Sequence, residues 1–126
     1  MQIHIKMSTG NPSQINWGIL GAGRIATKFA EDLRYVPNAR LHAVAAAHAE
    51  RAHAFGSRFN IPHVFERYED LLQCPDLDVV YIATPHTLHC ENSLMCIEGG
   101  LAVLCEKPFA MHASDARRMT AAAQRN

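Results

Sequence analysis

Apolar residues recur along this chain in two alternating patterns, short continuous runs and longer stretches spaced by three or four, as strands and helices sharing one core require. Ile15, Trp17, Ile19 and Leu20 lead into a glycine turn and predict a first strand entering a buried sheet. Ile25, Phe29 and Leu33 then fall at every fourth position beside Ala26 and Ala30, while Lys28, Glu31, Asp32 and Arg34 lie elsewhere around the wheel. That predicts an amphipathic helix ending before Pro37. Residues 41–47 are apolar apart from His42 and predict a second strand, although alanine is a weak strand former. A helix over 49–59 follows, broken by Pro62, then a short strand over 63–65 and a brief helix over 68–73 that turns Leu71 and Leu72 inward.

The run Val79, Val80, Tyr81, Ile82, Ala83 has no polar member, as expected of a strand covered on both faces. Residues 88–98 predict a helix closed by left-handed residues at Gly99 and Gly100, and 101–105 a fifth strand. Ser114 is the expected cap of the last helix, with Ala116, Met119 and Ala123 toward the core and Arg117, Arg118 and Arg125 toward water. Strict alternation of the two element types predicts an α/β fold, a Rossmann-type doubly wound parallel sheet of about five strands with right-handed crossovers, over residues 15–126. Residues 1–14, with Ser8, Thr9, Gly10, Asn11 and Pro12, are expected to be a flexible lead-in.

A chain of 126 residues suits one domain. Its 12 basic and 12 acidic side chains cancel, so no broad field favours nucleic acid or an anionic membrane, and the expected partner is a small molecule. No apolar run nears the roughly 20 residues of a membrane span, and residues 1–14 lack an apolar signal-peptide centre, so a soluble cytoplasmic protein is expected. Cys74, Cys90, Cys96 and Cys105 form no C-x-x-C pair and read as reduced packing thiols. The eight histidines are scattered; His86 and His89 lie three apart without further ligands, so no metal site is expected.

Chemistry concentrates at three loops. Gly21-Ala22-Gly23-Arg24-Ile25-Ala26 stands between the first strand and first helix, the context a G-x-G-x-x-G/A phosphate loop requires. Gly21 permits the tight turn, Gly23 lets a diphosphate approach the backbone, and Ala26 is small enough for the helix to lie against the sheet. At the end of the second strand no carboxylate stands ready for a ribose 2'-hydroxyl. His48 and Arg51 either face a 2'-phosphate or are solvated surface residues, with Glu50 between them. NADP is therefore favoured slightly over NAD. Thr84, Pro85 and His86 leave the carboxyl end of the fourth strand, where they either line the nicotinamide side or merely form a turn and a cap. The fifth strand runs into Glu106-Lys107-Pro108 at the same edge. Lys107 is either a plain surface residue, as a lone lysine after a strand usually is, or stands beside an oxidised nicotinamide, where a like charge and some desolvation favour release of its proton.

The segments GAGRIA, ATPHTLH and CEKPF, in this order and spacing, resemble the glucose-fructose oxidoreductase and inositol dehydrogenase family (Gfo/Idh/MocA) across residues 15–126. Within it, AVLCEKP and RAHAFGSRFNIPHVFERYEDLL look most like the dihydrodiol and xylose dehydrogenase branch. The resemblance implies a nicotinamide-dependent oxidoreductase of CH-OH groups whose Rossmann domain precedes a second α/β domain. The chain then reads as ending before the part that holds a small polyhydroxylated substrate, and the parent is expected to be a homo-oligomer. It further implies that Lys107 is catalytic or orients substrate, that Glu106 and Pro108 shape its turn, and that Thr84 and His86 contact the cofactor. A cis bond before Pro108 is also implied. Two departures stand out: NADP-preferring members often carry an arginine where this chain has Ala47, and the family's remaining His or Tyr acid-base lies in the second domain. The rival readings are a dinucleotide-binding sensor that lost chemistry, which would have no use for Lys107, and an S-adenosylmethionine enzyme, in which the E-K-P turn has no evident part.

Overall fold

In a computed structural model, residues 14–126 are described. Of the expected lead-in, residues 1–13 lie outside that range, and Gln14 is exposed and outside any strand or helix. Five strands, β1 (Ile15–Leu20), β2 (Ala39–Ala45), β3 (His63–Phe65), β4 (Val79–Ile82) and β5 (Ala102–Cys105), pair in parallel in the order β3-β2-β1-β4-β5. Four helices, α1 (Arg24–Leu33), α2 (Ala49–Phe59), α3 (His89–Glu98) and α4 (Ala113–Arg125), join them with two 3₁₀ segments, Tyr68–Gln73 and His86–Leu88. This is the expected Rossmann-type sheet. Its strand order reverses between β1 and β4, where α/β sheets open a crevice at the strand carboxyl ends.

Successive β1 residues serve opposite faces, and Ile19 and Leu20 each feed a different core layer. Ile19 packs with Val44 and Tyr81 beneath Ala26 and Ala30 of α1 and Phe55 of α2. Leu20 packs with Val80 and Ile82 on the other side, against Leu71 and against Cys96 of α3. Ala26, third small residue of the glycine loop, is fully buried, so α1 lies close on the sheet as its size predicted. All four cysteines are free, and burial pushes the Cys96 thiol up to about 12, as suits a packing residue.

Several local expectations need correction. β2 begins and ends two residues earlier than 41–47, because its length is set by its neighbour: Ile15 pairs with Ala39 and Leu20 with Ala45, and the Gly21 amide closes on the Ala45 carbonyl at 2.8 Å. Leu72 is exposed while Leu71 is fully buried, since a 3₁₀ turn places adjacent side chains about 120° apart. Gly100 alone is left-handed (φ +87); Gly99 stays on the right-handed side (φ −79). Ser114 lies inside α4, whose N-cap is His112, and Ala122 rather than Ala123 is buried with Met119. Nor are the histidines all scattered: His42 and His63 meet at adjoining rings 4.6 Å apart.

Candidate active site

The expected phosphate loop, Gly21–Ile25, is built from backbone. Gly21 holds φ +96, and a Cβ there would sit 2.6 Å from the Ala83 carbonyl oxygen at the end of β4, so a side chain fails on both conformation and space. Gly23 is the N-cap of α1 and has φ −92; a Cβ on it would meet nothing within 4 Å. That open space lies at a helix terminus with no side-chain cap and no acidic residue in its first turn. Unpaired N–H groups and the positive end of the helix dipole therefore face outward, which fits a diphosphate.

An open cleft of about 410 Å³ adjoins this terminus, lined by Ile25, His86, Glu106, Lys107 and Pro108. Residues from three separate segments thus meet: the start of α1, the 3₁₀ turn after β4, and the loop after β5. Ile25 is exposed despite its size, an apolar surface beside the phosphate site. Lys107 and Pro108 are exposed and joined by a cis peptide bond. Donors for phosphate, apolar walls for a planar ring and one exposed cation give this site the groups a nicotinamide dinucleotide needs.

Beneath the cleft lies a buried polar network that sequence patterns did not reveal. The Tyr81 hydroxyl donates to Glu106 Oε2, while the Lys107 backbone N–H donates to Glu106 Oε1 at 3.2 Å. The Tyr81 ring is held by stacking on Phe29, centroids 3.9 Å apart and planes 10° from parallel. The Tyr81 hydrogen bond is the main cause holding the Glu106 carboxyl below its ordinary value, with the Lys107 amide adding to it. Burial, and next the carboxylate partner, push the Tyr81 hydroxyl up. His89, 1% exposed, reaches the Thr84 carbonyl with Nε2 at 2.9 Å and the Pro108 carbonyl with Nδ1 at 2.7 Å.

The sequence-derived residues divide accordingly. Ile25, His86, Glu106, Lys107 and Pro108 line one cleft; Gly23 and Arg24 are exposed beside it, Ala22 is half-buried and Gly21 is buried beneath. Pro85 is exposed at the end of β4. The Thr84 side chain turns inward, donating to Asn92 Oδ1 at 2.6 Å, which leaves only its backbone at the edge. His48 is the N-cap of α2 and Arg51 lies in the first turn, both exposed, and neither lines the cleft. Tyr81, His89 and Asn92 were missed as site residues. Tyr81 carried a sequence signal as the polar member of an otherwise apolar strand, whereas α3 is mixed and nothing in its pattern singles out His89 or Asn92.

The family model described as "Oxidoreductase family, NAD-binding Rossmann fold" matches residues 15–126. The mouse trans-1,2-dihydrobenzene-1,2-diol dehydrogenase is 42% identical over 112 residues, which are 87% of this chain and 34% of that protein. The D-xylose 1-dehydrogenase (NADP(+)) of Hypocrea jecorina is 35% identical over an alignment of 130 positions that covers 94% of this chain and 33% of that protein. Among solved structures, a 3-ketoreductase from Actinomadura kijaniata in complex with NADP superposes with a TM-score of 0.84 at 32% identity, covering 89% of this chain and 36% of that one. The chain thus spans about a third of the length of the curated relatives it matches.

Proposed function

The chain belongs to the Gfo/Idh/MocA oxidoreductase family, and from that premise we propose that its parent protein transfers a hydride between a nicotinamide dinucleotide and a hydroxyl- or carbonyl-bearing carbon of a sugar, polyol or dihydrodiol. The observation that carries this reading is the meeting of Ile25 from the phosphate loop with His86, Glu106 and Lys107 around one cleft. When bound, the nicotinamide supplies the carbon that gives or takes the hydride. The uncapped amides of α1 hold the diphosphate, and Ile25 and Pro108 offer an apolar surface that limits water. Lys107 holds or releases a proton at the substrate oxygen, while Glu106, fixed by Tyr81 and the Lys107 amide, positions its turn.

Exposed His48 and Arg51, with alanines rather than a carboxylate at the end of β2, support NADP slightly over NAD. Substrate is held mainly by a second domain of the parent protein, whose positioning supplies several kcal/mol of barrier reduction. Free thiols support the cytoplasm as its compartment. Calorimetric titration of the folded chain with NADPH and NADH tests the reading. Saturable binding, tighter for NADPH and weakened selectively by Arg51→Ala, is expected; no saturation at millimolar concentrations of either would overturn it.

A further inference from the structure

Away from the cleft, where β2 and β3 pair beside the Tyr68–Gln73 segment, three ligand-type residues come together. One ring nitrogen each from His42 and His63 and the Cys74 sulfur all lie within 4.8 Å of one another. They come from three elements: His42 from β2, His63 from the start of β3, and Cys74 from the end of the Tyr68–Gln73 segment. None lines the cleft.

His42 is brought there by a bulge. Trp17 pairs with Leu41 and Gly18 with Ala43, so His42 is the extra residue in β2, and such bulges re-aim a side chain. His42 is 6% exposed, and its Nε2 contacts the Pro75 carbonyl at 2.8 Å. A carbonyl only accepts, so Nε2 carries the proton and Nδ1 presents a free lone pair. Nδ1 is buried and has no hydrogen-bond partner. A histidine that donates one nitrogen to a backbone carbonyl and keeps the other free has the orientation seen in metal ligands, and a buried polar atom without a partner calls for an occupant.

We propose that His42, His63 and Cys74 form a zinc site, with the fourth position taken by water or an external ligand. Two imidazoles and a thiolate suit zinc and not magnesium or calcium, which prefer oxygen. Tetrahedral bonds of roughly 2.0–2.3 Å place ligand atoms about 3.3–3.7 Å apart, so the cluster needs only a modest contraction. On binding, the thiol proton leaves to solvent as the zinc–sulfur bond forms, and the ion ties the three-residue edge strand β3 to β2 and to the turn at Cys74.

Cobalt(II) chloride, followed by zinc chloride, added to the untagged, chelator-treated chain provides the test. A near-ultraviolet thiolate-to-cobalt charge-transfer band at one equivalent, with intense visible bands of four-coordinate cobalt, is expected, and both vanish when zinc displaces it. Zinc raises the thermal midpoint. Cys74→Ser abolishes the charge-transfer band, and His63→Ala on the edge strand weakens zinc by about 100-fold or more, as loss of a direct ligand should. Cys90→Ser changes neither. Absence of the charge-transfer band from folded wild-type chain, its persistence in Cys74→Ser, or unchanged zinc affinity in His63→Ala would overturn the site. Should Cys74→Ser fail to fold, the wild-type spectrum and His63→Ala decide.

Discussion

The loop at Gly21–Ile25 and the edge formed by the β4 and β5 loops border the same cleft but are built in opposite ways. The first uses almost no side chains: its geometry comes from a left-handed glycine against the Ala83 carbonyl and from amides left free at a helix start. The second depends on buried side chains, with His89 joining the two loops and Tyr81 fixing Glu106. A surface that must admit a diphosphate cannot spare room for side chains, whereas a surface that must hold one lysine in place needs them.

The sharpest break of this contrast comes from the two glycines. Gly21→Ala drives a methyl into the Ala83 carbonyl at positive φ, and chemical denaturation should show a loss of roughly 2–4 kcal/mol. Gly23→Ala meets no protein atom; its stability should stay within about 0.5 kcal/mol of wild type while dinucleotide binding weakens. Equal stability of the two variants would contradict the assignment. Next, His89→Ala frees the Thr84 and Pro108 carbonyls and leaves a cavity, for an expected loss of about 2–3 kcal/mol. Hydrogen exchange should rise at both loops and remain unchanged at Gly21–Ile25.

The smallest effect, below about 1 kcal/mol at neutral pH, is expected of Tyr81→Phe, which keeps the ring and removes one hydrogen bond. Its signature is the pH profile. Glu106 is depressed in the fold, so its contribution is present above its ordinary 4.5 and lost as pH falls through the folded value. The gap between wild type and variant should therefore close in acid. Tyr81 is raised, so its share is present below its ordinary 10.0 and lost as pH rises through the folded value, narrowing the gap again in strong alkali. An NMR titration in which Glu106 does not move upward in Tyr81→Phe would remove Tyr81 as the cause.

Most of the fold was legible in the chain. The apolar positions leading into the glycine turn at β1, the continuous apolar run at β4 and the four-residue spacing of α1 are local signals, and each element appears where they predicted. The phosphate loop was legible for the same reason, because glycines between a strand and a helix form it without help from distant residues. Lys107 and His86 were legible through strand ends, which a parallel sheet brings to one edge. The direction of Thr84 was left open by the sequence: its hydroxyl faces Asn92, a partner eight residues away on a helix, and no spacing along β4 announces that choice.

By itself the amino-acid sequence determined the alternation of elements, the parallel sheet and the backbone cradle, since these rest on periodicity and on glycine's missing side chain. The packed chain alone decided where β2 starts, which way Thr84 turns, how Tyr81 grips Glu106 across 25 positions, and that His42, His63 and Cys74 meet. Those outcomes depend on register between neighbouring strands and on a bulge at His42. One residue of slip reverses a side chain's face, and the pairing that sets the slip lies far away along the chain.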